Sequence, residues 1–404
     1  MKYNVQIDEF CKTYGLGDVT ASHLFPKGIL NRTYFIDSTT GKYVIKALNP
    51  SRIDTADEIN RLETAEHIAE LAKESGIPSI SAKRINGKVV NTLHDQHYIV
   101  FDFLKGSVKP LRKITPENCF EIGQLLANMH QIDFQKLSHS NFNEHLKTYD
   151  YGGQIRVKIN WNYYFKAVSQ STPSWLSLFE ENLNDLCEMI DISFPAYLSF
   201  IPQDIIIAHA DLSDQNVLWK SKKPSIIDWE QSCFIDPTYD CVQTAIKWAT
   251  KRPTEDDNEA IDKERLYAFL KGYTEIRNLN VENIEISFYM VLYKRLTYLR
   301  RVLMEYLEPE DEISKERAER RIKHTLMILG GYKKLIDQLE TLKQDITDLQ
   351  PEQTYQKSPS YDIIPKMEKL IKNYDAQTRE LNYVKKWAIG LRIFRKIKSI
   401  FTKD

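Results

Sequence analysis

The chain has 404 residues, of which 42% are apolar and 27% are charged. This length predicts two or three domains, and the apolar fraction is enough to build their cores. The 55 basic and 56 acidic side chains nearly balance, which argues against nucleic acid as a partner, because nucleic-acid-binding proteins usually carry a basic surplus. The five cysteines form no CxxC pair, so neither a disulfide framework nor a zinc site is indicated. No stretch resembles a signal peptide or a spanning helix, and we expect a cytoplasmic protein.

The first hundred residues predict strands around one helix. Alternation of β-branched and aromatic residues with a period of two predicts strands over 33–38 and 42–48, and a further strand is expected over 19–25. Apolar residues at helical spacing predict a helix over 57–74. The dipeptide Asn86-Gly87 predicts a hairpin between strands 80–85 and 88–93. A last strand is predicted over 97–104.

From residue 116 onward the pattern is mostly helical, with amphipathic or helical stretches over 117–132, 263–342 and 363–401. The exception is 205–229, where short apolar runs alternate with polar turns. We therefore predict an α+β protein with a small β-rich N-terminal lobe (1–104) and a larger, mostly helical C-terminal lobe (105–345). A polar linker and a helical tail (346–404) follow.

One segment of the C-terminal lobe carries a candidate catalytic constellation. His209-x-Asp211 is followed by Asn216, and a second short apolar run ends at Asp228. Phosphoryl transfer needs a carboxylate to deprotonate the attacking hydroxyl, and Mg²⁺ needs oxygen ligands. Asp211 fits the base, while Asn216 and Asp228 fit the metal ligands. HxDxxxxN alone is a weak signal, because Asp and Asn are common in loops, but the downstream aspartate and an upstream lysine strengthen it.

That lysine is Lys46, which shares a face of its predicted strand with Val44 and Leu48. An exposed strand lysine is common, whereas a buried unpaired lysine would be costly. The functional interpretation is an ammonium that binds the α- and β-phosphates of ATP and is held by a glutamate of the next helix. Glu63 is the preferred glutamate, and Glu66 remains an alternative.

Several segments together resemble the aminoglycoside phosphotransferase and choline kinase family, whose members are distant relatives of protein kinases. The resemblance covers about residues 15–345. The segments are GILNRTYFI (28–36), YVIKAL (43–48), YIVFDFLKG (98–106), IGQLLANMH (122–130), HADLSDQNVLW (209–219) and IIDWEQSCFIDPTYD (226–240).

The resemblance implies a bilobal protein-kinase-like fold and an ATP- and Mg²⁺-dependent kinase acting on the hydroxyl of a small molecule. It gives the roles stated above to Asp211, Asn216, Asp228, Lys46 and Glu63. It also implies that the backbone of Asp102 and Leu104 binds the adenine, that the loop from Gly28 to Asn31 covers the phosphates, and that His209, Asp236 and Asp240 brace the catalytic loop.

The sequence departs from the family pattern where Ala210 stands in place of the usual glycine and where the phosphate loop has a single glycine, Gly28. One alternative is a protein kinase, but Ser213 replaces the lysine expected after the catalytic aspartate and no APE motif follows. A second alternative is an inactive binding module, although the base, both metal ligands and the lysine are all present.

The acceptor stays open among aminoglycosides, choline or ethanolamine, sugars and similar alcohols. A choline site would need an aromatic cage, for which the C-terminal lobe offers four aromatic residues that equally suit a core: Trp161, Tyr163, Tyr164 and Trp175. An aminoglycoside site would need clustered acids, but the acidic runs at 255–257 and 308–312 are typical of solvated surface.

The last 24 residues contain seven basic side chains between Lys385 and Lys403, with no acid among them. One interpretation is a helix that packs on its own protein or on a partner. The other is a basic amphipathic helix, residues 382–404, that contacts an anionic membrane surface.

Overall fold

The computed structural model describes residues 2–25, 31–53, 55–134, 144–151, 158–202, 204–251 and 260–350. The linker and the basic tail predicted after residue 350 lie outside these ranges, as does Gly28. None of the helices in the described ranges is both long enough and apolar enough to cross a membrane.

The N-terminal lobe is a five-stranded antiparallel sheet with strand order β1-β2-β3-β5-β4. The three strands predicted before residue 50, the helix predicted over 57–74 and the last strand are confirmed, with shifts of one or two residues at their ends. The sequence analysis missed the N-terminal helix. The described elements are α1 (Lys2–Thr13), β1 (Val19–Leu24), β2 (Arg32–Ser38), β3 (Lys42–Ala47), α2 (Ala56–Glu74), β4 (Asn91–Leu93) and β5 (Gln96–Asp102).

The two faces of this sheet are covered by different helices, because side chains alternate between the faces along each strand. On one face, Phe10 of α1 packs with Ile45 and Tyr98. On the other, Leu62 of α2 packs with Leu48 and Phe101. Lys46 alternates with Ile45 and so lies on the face of α2, as its spacing from Leu48 predicted.

Helix α2 links the two lobes. It begins where the Thr55 side chain accepts a hydrogen bond from the Glu58 amide and ends before Gly76, whose φ is +88°. Its second half, including Ile68 and Ala72, is buried in the core of the C-terminal lobe rather than in that of the sheet. The helix therefore fixes the position of the sheet relative to the C-terminal lobe, which carries Asp211 and Asn216.

The hairpin predicted around Asn86-Gly87 is present only as its turn. Both residues have positive φ, as the turn requires, but the flanking residues form a single bridge between Ile85 and Lys88. The ladder stops there because other groups take the backbone donors. The Glu66 carboxylate accepts from the Ala82 amide, and the Glu63 carboxylate accepts from the amides at positions 89 and 90.

The C-terminal lobe is mostly helical, as predicted. The chain leaves the sheet at the end of β5 and pairs again through β6 with β8. The described elements are β6 (Ser107–Val108), α3 (Pro116–His130), α4 (Trp161–Ser169), α5 (Leu176–Ser199), β7 (Ile206–Ala208), β8 (Val217–Lys220), β9 (Lys223–Ile226), β10 (Cys233–Ile235), α6 (Pro237–Ala249), α7 (Lys263–Thr274), α8 (Val281–Leu307), α9 (Glu312–Ile336) and α10 (Leu339–Leu349).

Helix α6 lies at the centre of this lobe, buried along almost its whole length. Asp236 caps its first turn by accepting hydrogen bonds from the Thr238 and Tyr239 amides. Burial is the largest single influence on Asp240 and opposes its ionisation, but the hydrogen bonds with His130 and Gln243 and the nearby positive charge together outweigh it and lower the pKa of Asp240. These contacts hold α6 rigidly beside the loop that follows β7.

Candidate active site

The loop after β7 brings Asp211 and Asn216 together. The Asn216 side-chain amide donates to the Asp211 carbonyl at 2.8 Å and to Asp211 Oδ2 at 3.1 Å. The other carboxylate oxygen, Oδ1, accepts from the Lys247 ammonium at 3.0 Å. Because the Asn216 side-chain nitrogen is used within the loop, its side-chain oxygen Oδ1 is the atom that could bind a metal ion.

His209 braces this loop from inside the protein. The side chain is fully buried; its Nε2 donates to the Ile227 carbonyl at 3.0 Å and its Nδ1 accepts from the Asp211 amide at 3.2 Å. Burial lowers the pKa of His209, which favours this neutral form. Ala210, between His209 and Asp211, has a φ of +60°, a conformation that glycine adopts without steric cost. This explains why glycine suits the position.

Asp228 follows β9 and faces the N-terminal lobe. Its φ is +67°, and its Oδ1 accepts from the Lys46 ammonium at 2.6 Å. Burial disfavours the charged form of Lys46, but attraction from Asp228 and Glu230 is stronger, so the pKa of Lys46 is raised. The predicted lysine and the second predicted metal ligand therefore meet across the two lobes.

Asn216 and Asp228 are neighbours because the Ile227 backbone amide donates to the Asn216 backbone carbonyl at 3.0 Å. An amide oxygen and a carboxylate placed side by side match the hard oxygen donors that Mg²⁺ takes when phosphate oxygens complete its coordination. The residues present thus fit the predicted metal. Among the described residues there is no cluster of three or more His, Cys, Asp or Glu side chains that could hold a metal ion without such a ligand.

The glutamate expected beside Lys46 needs a correction. The Glu63 carboxylate is occupied by the amides of Val89 and Val90 and by Arg84. Glu66 is the buried glutamate whose charge interacts with Lys46. Glu63 was preferred because it borders the apolar stripe, but the inward face of α2 continues through Glu66.

The other predicted nucleotide contacts lie around the mouth between the lobes. The Asn31 side chain accepts from the Asn49 amide and donates to Glu230 at 3.4 Å, so it closes one side of that mouth. Asp102 ends β5, with its side chain bonded to Lys83, and Leu104 follows in the connector. Asp102 and Leu104 stay predictions as adenine contacts and Asn31 as part of the phosphate loop, while Gly28 lies outside the described residues.

A cavity of about 620 Å³ opens beside the catalytic loop. It starts at Lys247, whose ammonium is bonded to Asp211, and extends to α8. Its volume is within the range of small-molecule sites. The described residues that line it are Tyr149, Asp150, Gln231, Tyr239, Gln243, Lys247, Val291, Lys294, Arg295, Thr297, Tyr298, Arg301 and Tyr332.

Sequence analysis missed the cationic side chains of this cavity. Loss of hydration lowers the pKa of Lys294 to about 8, and repulsion by Lys247 acts in the same direction. The Lys294 ammonium donates to the Tyr149 hydroxyl. The only signal in the sequence was that Lys247 and Lys294 occur within otherwise apolar stretches of predicted helices. That pattern does not show that α6 and α8 meet at a cavity.

The aromatic residues weighed as a cage form no part of this cavity. Trp161, Tyr164 and Trp175 are buried in the core, and Tyr163 is exposed. The core interpretation is therefore correct for Trp161, Tyr164 and Trp175 and wrong for Tyr163. The acidic run at 308–312 is exposed between α8 and α9, and the run at 255–257 lies outside the described residues.

A β-rich lobe and a helical lobe, with Asp211, Asn216, Asp228 and Lys46 brought together at their junction, match the arrangement predicted for a kinase-like phosphotransferase. The chain matches the model of the phosphotransferase enzyme family over residues 23–279. It belongs to this family. The resemblance and the fold class stated from the sequence are confirmed.

Curated relatives are homoserine kinases. That of Neisseria meningitidis is 27% identical over 278 residues, which cover 68% of this chain and 79% of the relative. That of Rhizobium meliloti is 25% identical over 290 residues, which cover 69% and 78%.

Two solved structures share the fold. A spectinomycin phosphotransferase in complex with ADP and spectinomycin has a TM-score of 0.60 and 16% identity, covering 82% of this chain and 98% of that one. An aminopropanol kinase associated with a microcompartment has a TM-score of 0.55 and 16% identity, covering 84% and 98%. The protein is a small-molecule kinase that phosphorylates a hydroxyl group, and the two alternatives, a protein kinase and an inactive module, are set aside.

Proposed function

We propose that the protein transfers the γ-phosphoryl group of ATP, in the presence of Mg²⁺, to the hydroxyl of a small acceptor bound in the cavity beside Asp211. The observation that carries this proposal is the convergence of Asp211, Asn216, Asp228 and Lys46 at the junction of the lobes. The same junction adjoins a cavity large enough for a small molecule.

Each group has a task in the transfer. Asp211 takes the proton of the acceptor hydroxyl while the hydroxyl oxygen bonds to the γ-phosphorus. The bond from that phosphorus to the oxygen bridging to the β-phosphate breaks, and ADP leaves with its electron pair. Lys46, steadied by Glu66, holds the α- and β-phosphates. Asn216 and Asp228 would hold Mg²⁺, which neutralises charge on the phosphate oxygens when it is bound.

The acceptor candidates come from the relatives. The curated relatives are named for homoserine, and the two solved structures for spectinomycin and aminopropanol. Each of these compounds carries a hydroxyl group and fits the general reaction. Their shared feature supports an alcohol as the acceptor group.

The test is the Asp211→Asn variant in an ADP-release assay with Mg·ATP and a panel of these alcohols. We expect turnover to fall by about 10²–10⁴-fold, because the positioned base is lost. Asp214→Asn, in the same loop, is the matched control and should keep its activity. Full activity of a well-folded Asp211→Asn protein would show that Asp211 is not the base.

For the tail, which lies outside the described residues, we propose peripheral contact with an anionic membrane. Its seven basic side chains would each contribute roughly 1 kcal/mol near such a surface. Co-sedimentation with phosphatidylglycerol vesicles at low salt tests this, with phosphatidylcholine vesicles as the control. If the full chain stays in solution with both, the tail is a packing element. If it binds, truncation after residue 381 should abolish binding.

A further inference from the structure

The cavity beside Asp211 has more positive than negative charge on its walls. Lys247, Lys294, Arg295 and Arg301 line it, and Asp150 is the one carboxylate among its described lining residues. Such walls favour a ligand of opposite charge, because complementary charge decides which partners are admitted.

Two of these cations already lie beside a carboxylate. Lys247 is bonded to Asp211, and the Arg301 guanidinium lies 3.7 Å from the Glu305 carboxylate. Their charges serve the catalytic loop and the surface of α8. They are therefore not the main groups available to a ligand.

The other two cations, Lys294 and Arg295, have aromatic neighbours instead. Lys294 bonds to the Tyr149 hydroxyl and lies 4.2 Å from the centre of that ring. Arg295 lies 6.0 Å from the centre of the Tyr298 ring. Within the part of the chain that the structure describes, neither cation has a hydrogen bond or an ion pair with a carboxylate, although Asp150 and Asp211 attract Lys294 electrostatically.

The positions of these cations relative to the base indicate how a ligand would lie. Lys247 is in contact with Asp211, and Lys247 is close enough to Lys294 to lower its pKa by repulsion. Lys294 is also attracted by Asp211, so the base and both lysines lie within electrostatic reach of one another at this cavity. A molecule whose hydroxyl reaches Asp211 would place its far end at α8.

We propose that the acceptor is a carboxylate-bearing alcohol, whose carboxylate is bound by Lys294 and Arg295 while its hydroxyl meets Asp211. This inference rests on the proposed function. A carboxylate would give both cations charge-assisted hydrogen bonds. A polycationic aminoglycoside or a quaternary ammonium alcohol would instead place positive charge against them.

The experiment compares acceptors that differ only in this charge. 4-Hydroxybutyrate and L-homoserine are set against 4-hydroxybutanamide and L-homoserine amide, with ADP release as one readout. Calorimetric binding to the protein with Mg·AMP-PNP is the second. We expect the carboxylates to bind, and to be turned over, about 10–100-fold more efficiently than their amides, as expected for hydrogen bonds to a charged group.

Substitutions at the two cations test whether they are the groups that bind the carboxylate. Arg295→Gln and Lys294→Gln should each raise the KM of the carboxylate acceptor about tenfold or more, with little change in kcat or in the KM for ATP. Arg300→Gln is the matched control, since Arg300 is on the same helix but lies over Tyr164, outside the cavity. It should behave as the wild type.

The two proposals fail in different ways. If no acceptor releases ADP, the proposed function is in error, and the calorimetric comparison still decides the anionic preference. If the amides bind or react as well as the carboxylates, or if both glutamine variants keep the wild-type KM or affinity, the carboxylate site is refuted while the kinase stands.

Discussion

Glu66 is a carboxylate buried between the sheet and α2, with a side chain that links structure to catalysis. It accepts a hydrogen bond from the Ala82 amide at 2.7 Å and interacts electrostatically with Lys46. Burial is the stronger influence and raises the pKa of Glu66 to about 7. Near neutral pH, the carboxylate beside Lys46 is therefore only partly ionised.

This raised pKa predicts a specific pH dependence of stability. The folded state holds the Glu66 proton more tightly than the unfolded state, whose pKa is near 4.5. The contribution is fully present below pH 4.5 and is lost as pH rises through 7, by on the order of 3 kcal/mol. Urea denaturation from pH 5 to 8 should show this loss, and Glu66→Gln should remove it. Parallel profiles of the two proteins would contradict the assignment.

Helices α3 and α7 approach closely because two glycines face each other's backbones. A Cβ added at Gly123 would lie 2.1 Å from the Phe269 carbonyl, and one added at Gly272 would lie 2.1 Å from the Phe120 carbonyl. Side chains at these points would force the helices apart. The contact packs α3 beside α6, and α6 lies next to the loop that carries Asp211 and Asn216.

Gly272→Ala should destabilise the protein by about 2–3 kcal/mol or more, since the obstacle is backbone and cannot rotate away. Gly330→Ala in α9 is the matched control, because its nearest neighbour would be Asn182 Oδ1 at 4.0 Å. There the better helix propensity of alanine should add up to about 1 kcal/mol. Equal unfolding midpoints for the two variants in urea would show that the close approach is absent.

Elements with strong local patterns could be predicted from the sequence, and those decided by distant partners could not. The β2–β3 hairpin and the loop holding Asp211 and Asn216 depend on nearby residues. The hairpin predicted around Asn86-Gly87 is reduced to its turn because carboxylates of α2 accept hydrogen bonds from its backbone amides. The cavity needs Lys247 and Lys294, which are 47 positions apart and on different helices. No local sequence pattern indicates that these two lysines line the same cavity.

The two lobes are joined by contacts that surround the proposed nucleotide site. Lys46 bonds to Asp228, Lys147 bonds to Glu58 at 2.8 Å, and Arg61 donates to the Glu230 carbonyl. Because α2 is also buried in the core of the C-terminal lobe, the sheet cannot move without disturbing these contacts. A ligand that binds between the lobes should therefore stabilise both of them together.

The last prediction concerns this coupling in the whole molecule. Mg·AMP-PNP at 100 times its Kd should add about 2.7 kcal/mol of stability by mass action and raise the Tm of a single transition. Asp228→Asn should lose most of this rise, because the amide is a weaker metal ligand and no longer pairs with Lys46. Asp18→Asn, at an exposed ion pair with Lys12, is the control and should keep it. A thermal melt with and without EDTA measures both effects. An undiminished rise in Asp228→Asn, or one that persists in EDTA, would show that the nucleotide binds without the metal held by Asn216 and Asp228.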